Sequence, residues 1–312
     1  MKRNYQRLAD YLKTEAEKGL LTFEEGYPLS RACSFRIGGK AAYAVFPRTV
    51  SALTSAIAFL KEGKIPFVVI GNGTNVVFDD DGYDGAVVFT TALTKIERTG
   101  TTLVTDCGVS LTFLASFAAK AGLAGLSFAY GIPGTVGGAV FMNAGAYGGE
   151  VKDVITTVTW YDVESGTVGT YTDEENRFDY RTSVYQEENK LILSATFVLK
   201  EGDRDTILAE MEDFMSRRRD KQPLNLPSAG STFKRYPGFF TAKLIEEAGL
   251  KGYTVGGLAV SEKHAGFVVA VGPATSLDFL TIVEDIRLKI HERNGIWIER
   301  EVRYIPCPKD EE

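Results

Sequence analysis

Apolar and polar positions divide the chain into short strands and amphipathic helices. Residues 5–20 set Leu8, Tyr11 and Leu12 among lysines and glutamates, which predicts a surface helix ended by Gly19. An apolar run at 41–46, helical spacing over 49–61 (Leu53, Ile57, Ala58, Leu60) and a β-branched run at 65–70 predict a strand–helix–strand unit. Strands are expected at 76–78, 86–90 and 102–106, a helix at 111–121, and strands at 154–162, 166–172 and 191–200. At about residue 201 the texture shifts. Ile207, Leu208, Met211, Phe214 and Met215 share one face of a helix over 203–219. Arg217, Arg218 and Arg219 sit at its C-terminal end, where the helix dipole favours cations. A Pro-rich stretch at 222–227 ends it, and helices near 240–248 and 276–293 and strands near 266–271 and 297–305 follow. The pattern is α+β with a domain boundary near 200.

One segment escapes this periodicity. Residues 131–149 are rich in glycine and carry no charge, yet Ile132, Val136, Val140, Phe141 and Met142 make them too apolar for a solvated linker. Such a loop lets a ligand approach the main chain closely, and its N–H groups can hold a phosphate without a cation. The turn Gly71-Asn72-Gly73-Thr74-Asn75 is a second candidate. It fails the dinucleotide-fold test, which needs a third glycine and a helix. Val76-Val77-Phe78 instead continues as a strand.

Composition narrows the partners. The chain has 312 residues and a formal net charge of -6, which argues against a general nucleic-acid or anionic-membrane surface. Cys33, Cys107 and Cys307 are sparse and far apart, pointing to a reducing compartment, and with His264 and His291 they match no familiar metal spacing. The first nineteen residues lack a signal-peptide core, and no apolar run is long enough to span a bilayer, so the cytoplasm is the expected location.

Several short stretches could carry chemistry. Glu301 and Arg303 share one face of the last expected strand, which would equally suit a solvated edge. Ser231 lies in Ser228-Ala229-Gly230-Ser231-Thr232-Phe233-Lys234, where a hydroxyl can donate a proton or serve a polar turn, and no nucleophile elbow is present. Arg181, between aromatic neighbours in Tyr180-Arg181-Thr182-Ser183, could clasp a carboxylate or form a structural ion pair. Ser34-Phe35-Arg36-Ile37-Gly38-Gly39 and Lys263-His264-Ala265-Gly266-Phe267 complete the set.

Taken together and in this order, these motifs resemble the UDP-N-acetylenolpyruvoylglucosamine reductase family over nearly the whole chain. The resemblance implies an N-terminal helical segment over 1–25, a two-part FAD domain of the vanillyl-alcohol-oxidase/PCMH-like class over 26–200, split near 85, and a smaller substrate-binding domain over 201–312. It implies noncovalent FAD, NADPH as co-substrate, and reduction of the enolpyruvyl ether of UDP-N-acetylglucosamine, with no metal, no nucleic acid, no membrane insertion and no obligatory protein partner. Carried over by motif, Ser231 is the proton donor, and Arg181 and Glu301 flank the substrate carboxylate. Cofactor contacts are expected from Arg36, Gly71, Asn72, Gly73, Thr74, Asn75, Gly131, Ile132, Pro133, Gly134, Thr135, Gly137, Gly138, Asn143, Ala144, Gly145 and Tyr180. Substrate anions fall to Lys221, Lys234 and Arg303. Only a short segment separates Arg181 from Ser231, which implies the shorter type without a substrate-covering tyrosine loop. Ala270 and Arg235-Tyr236 depart from the family pattern at positions near the substrate. An oxygen-using oxidase of the same FAD fold and a noncatalytic flavin-binding protein are the competing readings.

Overall fold

Thr49 and Ser110 start two helices in the same way. Each side-chain oxygen accepts the N–H three residues on, from Ala52 (3.1 Å) and Phe113 (3.4 Å), satisfying a donor the helix leaves open. The computed structural model describes residues 5–309. Its helices are α1 (Tyr5–Glu17), α2 (Val50–Glu62), α3 (Leu111–Lys120), α4 (Val136–Phe141), α5 (Arg204–Lys221), α6 (Thr241–Glu247) and α7 (Ser276–Asn294).

The chain forms two compact units built from separated stretches. The first takes residues up to Glu25, Tyr43–Asn72 and Gly85–Arg217; the second takes Gly26–Ala42, Gly73–Asp84 and the chain from Arg218 onward. The chain passes between the units at several points. Three of them fall inside the strands Leu21–Pro28, Lys40–Pro47 and Tyr83–Phe89.

In the first unit, a five-stranded antiparallel sheet runs in the order Val168–Thr172, Ile155–Asp162, Lys190–Val198, Thr102–Asp106, Ile96–Thr99. The apolar faces of α3 (Leu111, Leu114, Ala118) and α4 (Val136, Ala139, Val140) join Val158, Ala195 and Phe197 in one buried core. The strand–helix–strand unit forms around α2, but its strands are not neighbours. In the four-stranded sheet, Tyr83–Phe89 lies between Lys40–Pro47 and Phe67–Ile70, parallel to the latter.

In the second unit, the antiparallel strands Thr254–Val255, Leu258–Val260 and Val268–Ala270 accompany α6 and α7. Helix α7 buries Phe279, Ile282, Val283, Ile286 and Ile290, a 3.6-residue stripe. Thr275 and Asp278 form its capping box, and Gly295 closes it at φ +70. The strands Val76–Phe78 and Arg303–Ile305 pair in parallel. Among the described residues no helix is long and apolar enough to cross a membrane, and no group of three or more His, Cys, Asp or Glu could hold a metal ion.

Candidate active site

The glycine-rich segment of the first unit is more structured than its composition predicts. Buried Thr135 accepts Gly138 N–H (3.3 Å) and starts α4, because Val136, Ala139 and Val140 have a sheet to pack on. The turn at Gly71-Asn72 lies against it. Asn72 Nδ2 donates to Pro133 O (2.7 Å), and a Cβ on Gly71 would overlap Thr135 Oγ1, so only glycine permits this approach. Gly131 N–H donates to Thr112 Oγ1 (3.2 Å) and Gly137 N–H to Cys107 O (2.7 Å). With Gly138, three N–H groups expected to face a phosphate are thus spent on the protein itself. Asn143 is fully buried: its amide donates to Glu150 Oε2 (2.9 Å) and Asp179 O (3.0 Å) and accepts Lys152 N–H (3.0 Å). Its side chain is therefore spent on the fold.

Asn72, Pro133 and Gly138 stay exposed, an uncharged surface over a buried apolar floor. A Cβ on Gly138 would meet only Thr135 Oγ1, at 3.6 Å. That small-residue, main-chain-rich surface fits a large flavin nucleotide. Cys107 lies beneath it, and burial followed by the nearby Asp106 charge pushes its thiol up to about 12, so it stays protonated at neutral pH.

Arg181 belongs to the same unit. Its Nη2 donates to Gly145 O (2.9 Å), and its guanidinium lies 5.0 Å over the Tyr180 ring.

In the second unit, the segments that carry Ser231 and Glu301 pair. Thr232 O accepts Glu301 N–H (2.9 Å), Phe233 bridges Arg300, and Lys234 N–H donates to Glu299 O (2.9 Å). These two antiparallel runs place Ser231 beside the Glu301 segment. Gly230 at φ +82 turns the chain into this run. Thr232 is pinned on the other side: its N–H donates to Gly266 O (2.8 Å) and its Oγ1 accepts Val268 N–H (3.0 Å). The strand expected over 297–305 is regular only at Arg303–Ile305, because Arg300 makes a single bridge.

The Gly71–Asn75 turn is divided between the units. Gly71 and Asn72 belong to the first, while Gly73, Thr74 and Asn75 belong to the second. Asn75 Nδ2 donates to Glu301 O (3.3 Å), and Asn75 O accepts Arg303 N–H (3.0 Å), so Asn75 holds the Glu301 segment. Gly73 O accepts Ser34 N–H (3.0 Å), and Ser34 Oγ donates to Ser228 O (2.6 Å), which fastens the Ser231 loop to the Arg36 motif. Arg36 itself adopts φ +61. Lys221 ends α5, Lys234 pairs with Glu299 at 3.3 Å, and the Arg303 side chain is exposed. The ties made by Ser34 and Asn75 are not legible in the sequence, because a residue type does not reveal which carbonyl it will meet.

Residues 222–305 match the UDP-N-acetylenolpyruvoylglucosamine reductase C-terminal domain, and residues 41–172 match an FAD binding domain. Over 298 residues the chain is 43% identical to the UDP-N-acetylenolpyruvoylglucosamine reductase of Caldanaerobacter subterraneus subsp. tengcongensis, covering 96% of this chain and 98% of that one. The chain belongs to the UDP-N-acetylenolpyruvoylglucosamine reductase family. The reductase of Caldicellulosiruptor bescii is also 43% identical, over 95% of this chain and 93% of its own. The crystal structure of the reductase from Thermus caldophilus superposes with a TM-score of 0.76 at 30% identity, covering 92% of this chain and 99% of that one. Family membership carries the α+β fold class, an FAD binding domain followed by the reductase C-terminal domain.

Proposed function

We propose that this reductase-family chain converts the enolpyruvyl ether of UDP-N-acetylglucosamine to UDP-N-acetylmuramate, a peptidoglycan precursor, with FAD as cofactor and NADPH as electron donor. The observation that supports the reading is the antiparallel run that pairs Thr232, the neighbour of Ser231, with Glu301. Gly71, Asn72 and residues 131–138 would hold the flavin, which when bound would supply hydride for the terminal alkene carbon. The chain must then manage the negative charge that builds on the carbon alpha to the carboxylate. Arg181 offers that carboxylate a permanent cation. Glu301 is its hydrogen-bonding acid partner, and Ser231 gives its hydroxyl proton to the alpha carbon. Lys221, Lys234 and Arg303 bind the remaining anionic groups, and the reaction belongs in the cytoplasm, where the cysteines stay reduced.

Ser231→Ala tests the assignment. NADPH is expected to reduce its flavin at the wild-type rate, while product formation by the reduced enzyme falls about 10²–10⁴-fold, the range for a lost general acid. Wild-type product formation would remove Ser231 from the reaction. Rapid oxygen consumption by the wild type without the enolpyruvyl substrate would favour an oxidase, and no NADPH oxidation at all would favour a flavin-binding protein.

A further inference from the structure

We propose that Gln186 is the positioning residue for Arg181, its side-chain amide holding the strained turn that presents the guanidinium. The inference rests on the carboxylate-binding role given to Arg181 above.

Asp179 and Thr182 exchange both backbone hydrogen bonds (3.1 and 3.0 Å), leaving Tyr180 and Arg181 as the central residues of a tight turn. Arg181 adopts φ +55. Positive φ at this turn position normally calls for glycine or asparagine. A conformation that costs free energy persists only where its surroundings over-determine it.

Gln186 supplies that determination. Its two amide hydrogens reach two carbonyls, Arg181 O (2.9 Å) and Phe141 O (2.8 Å). Phe141 is the last residue of α4, and carbonyls there lack intrahelical partners. One amide thus clamps the peptide leaving Arg181 to the end of α4. Ser183 Oγ donates to the same Phe141 carbonyl (2.7 Å), and Gly145 O accepts the guanidinium. With its carbonyl held, Arg181 has its ψ fixed, and with ψ the direction in which its side chain leaves the backbone. The requirement on residue 186 is two hydrogen-bond donors on a flexible stem. Lysine can meet it; glutamate and leucine cannot.

The test uses the FAD-loaded enzyme with Gln186→Leu, Gln186→Glu, Gln186→Lys, Arg181→Ala and the Arg181→Ala/Gln186→Leu double variant. In Gln186→Leu and Gln186→Glu, flavin content and reduction by NADPH should be unchanged. Transfer from reduced enzyme to the enolpyruvyl substrate should fall about 10- to 100-fold, as expected for a reacting group displaced by about 1 Å. Titration with UDP-N-acetylmuramate should show weakened product binding. Gln186→Lys should restore most of both losses, and the double variant should be no slower than Arg181→Ala alone. Equal loss in both half-reactions, loss of flavin, or additive losses in the double variant would overturn the inference in favour of a general structural role. Wild-type transfer in Gln186→Leu alongside impaired Arg181→Ala would overturn it alone. Intact transfer in Arg181→Ala would instead remove the role given to Arg181, and with it the inference.

Discussion

Arg181 shows what a single residue costs and what it is kept for. A side chain in the left-handed region costs about 1–2 kcal/mol relative to right-handed backbone, and glycine escapes that cost. Arg181→Gly is therefore expected to be more stable than Arg181→Ala by roughly 1 kcal/mol, although both lose the guanidinium. Urea unfolding of the two variants checks the sign; an alanine variant equal to or better than the glycine one would mean the turn is unstrained. Arg181, Ser231 and Glu301 stand out in the sequence only through the family resemblance of their motifs, since each motif alone suits a structural role equally well. Gln186 does not stand out at all, since its work is to satisfy two carbonyls whose positions are set by distant packing. The inward bonds of Asn143 were hidden for a related reason. Asparagine suits ligand loops and also tolerates positive φ, and here it adopts φ +39 and turns its amide inward.

Among the elements, the amphipathic helices were legible because an apolar stripe and a cap are local features. Helix α4 was not. Its glycines argue for a loop, and only the capping by Thr135 and the core beneath it make six residues helical. The turn from Ser261 to Phe267 shows an element whose strength depends on proton concentration. His264 Nδ1 accepts Gly266 N–H (3.1 Å), and Gly266 O in turn accepts Thr232 N–H beside Ser231. Burial lowers the His264 pKa from its ordinary value, and the Lys251 charge adds to this against the pull of Glu246. Because the folded value lies below the unfolded one, the contribution is complete above about pH 6.5 and is lost as pH falls through the folded pKa. Denaturant midpoints measured downward from neutral pH should decline in the wild type. His264→Asn, which keeps an acceptor but does not titrate, should decline less; parallel curves would absolve His264.

At the scale of the whole molecule, a hydrophobic pattern says which faces are buried but not which distant stretch buries them, so the interleaved units could not be read from it. Phe35 meets Phe279 edge-on at 5.6 Å, Asp80 accepts Ser276 N–H at the start of α7 (2.8 Å), and Val77 lies opposite Tyr304. A fragment of residues 201–312 lacks all three early partners. It is expected to show no cooperative thermal transition and little dispersion in its amide spectrum, and a sharp transition would mean that the early segments are dispensable. The pairing of Val76–Phe78 with Arg303–Ile305 also sets a timetable. At about 5–20 residues per second, translation makes the second strand roughly 10–45 s after the first. Throughout that interval the apolar Val-Val-Phe strand lacks its neighbour on the nascent chain. A message truncated before this final strand would yield a substrate for chaperones and proteases rather than a partly working enzyme.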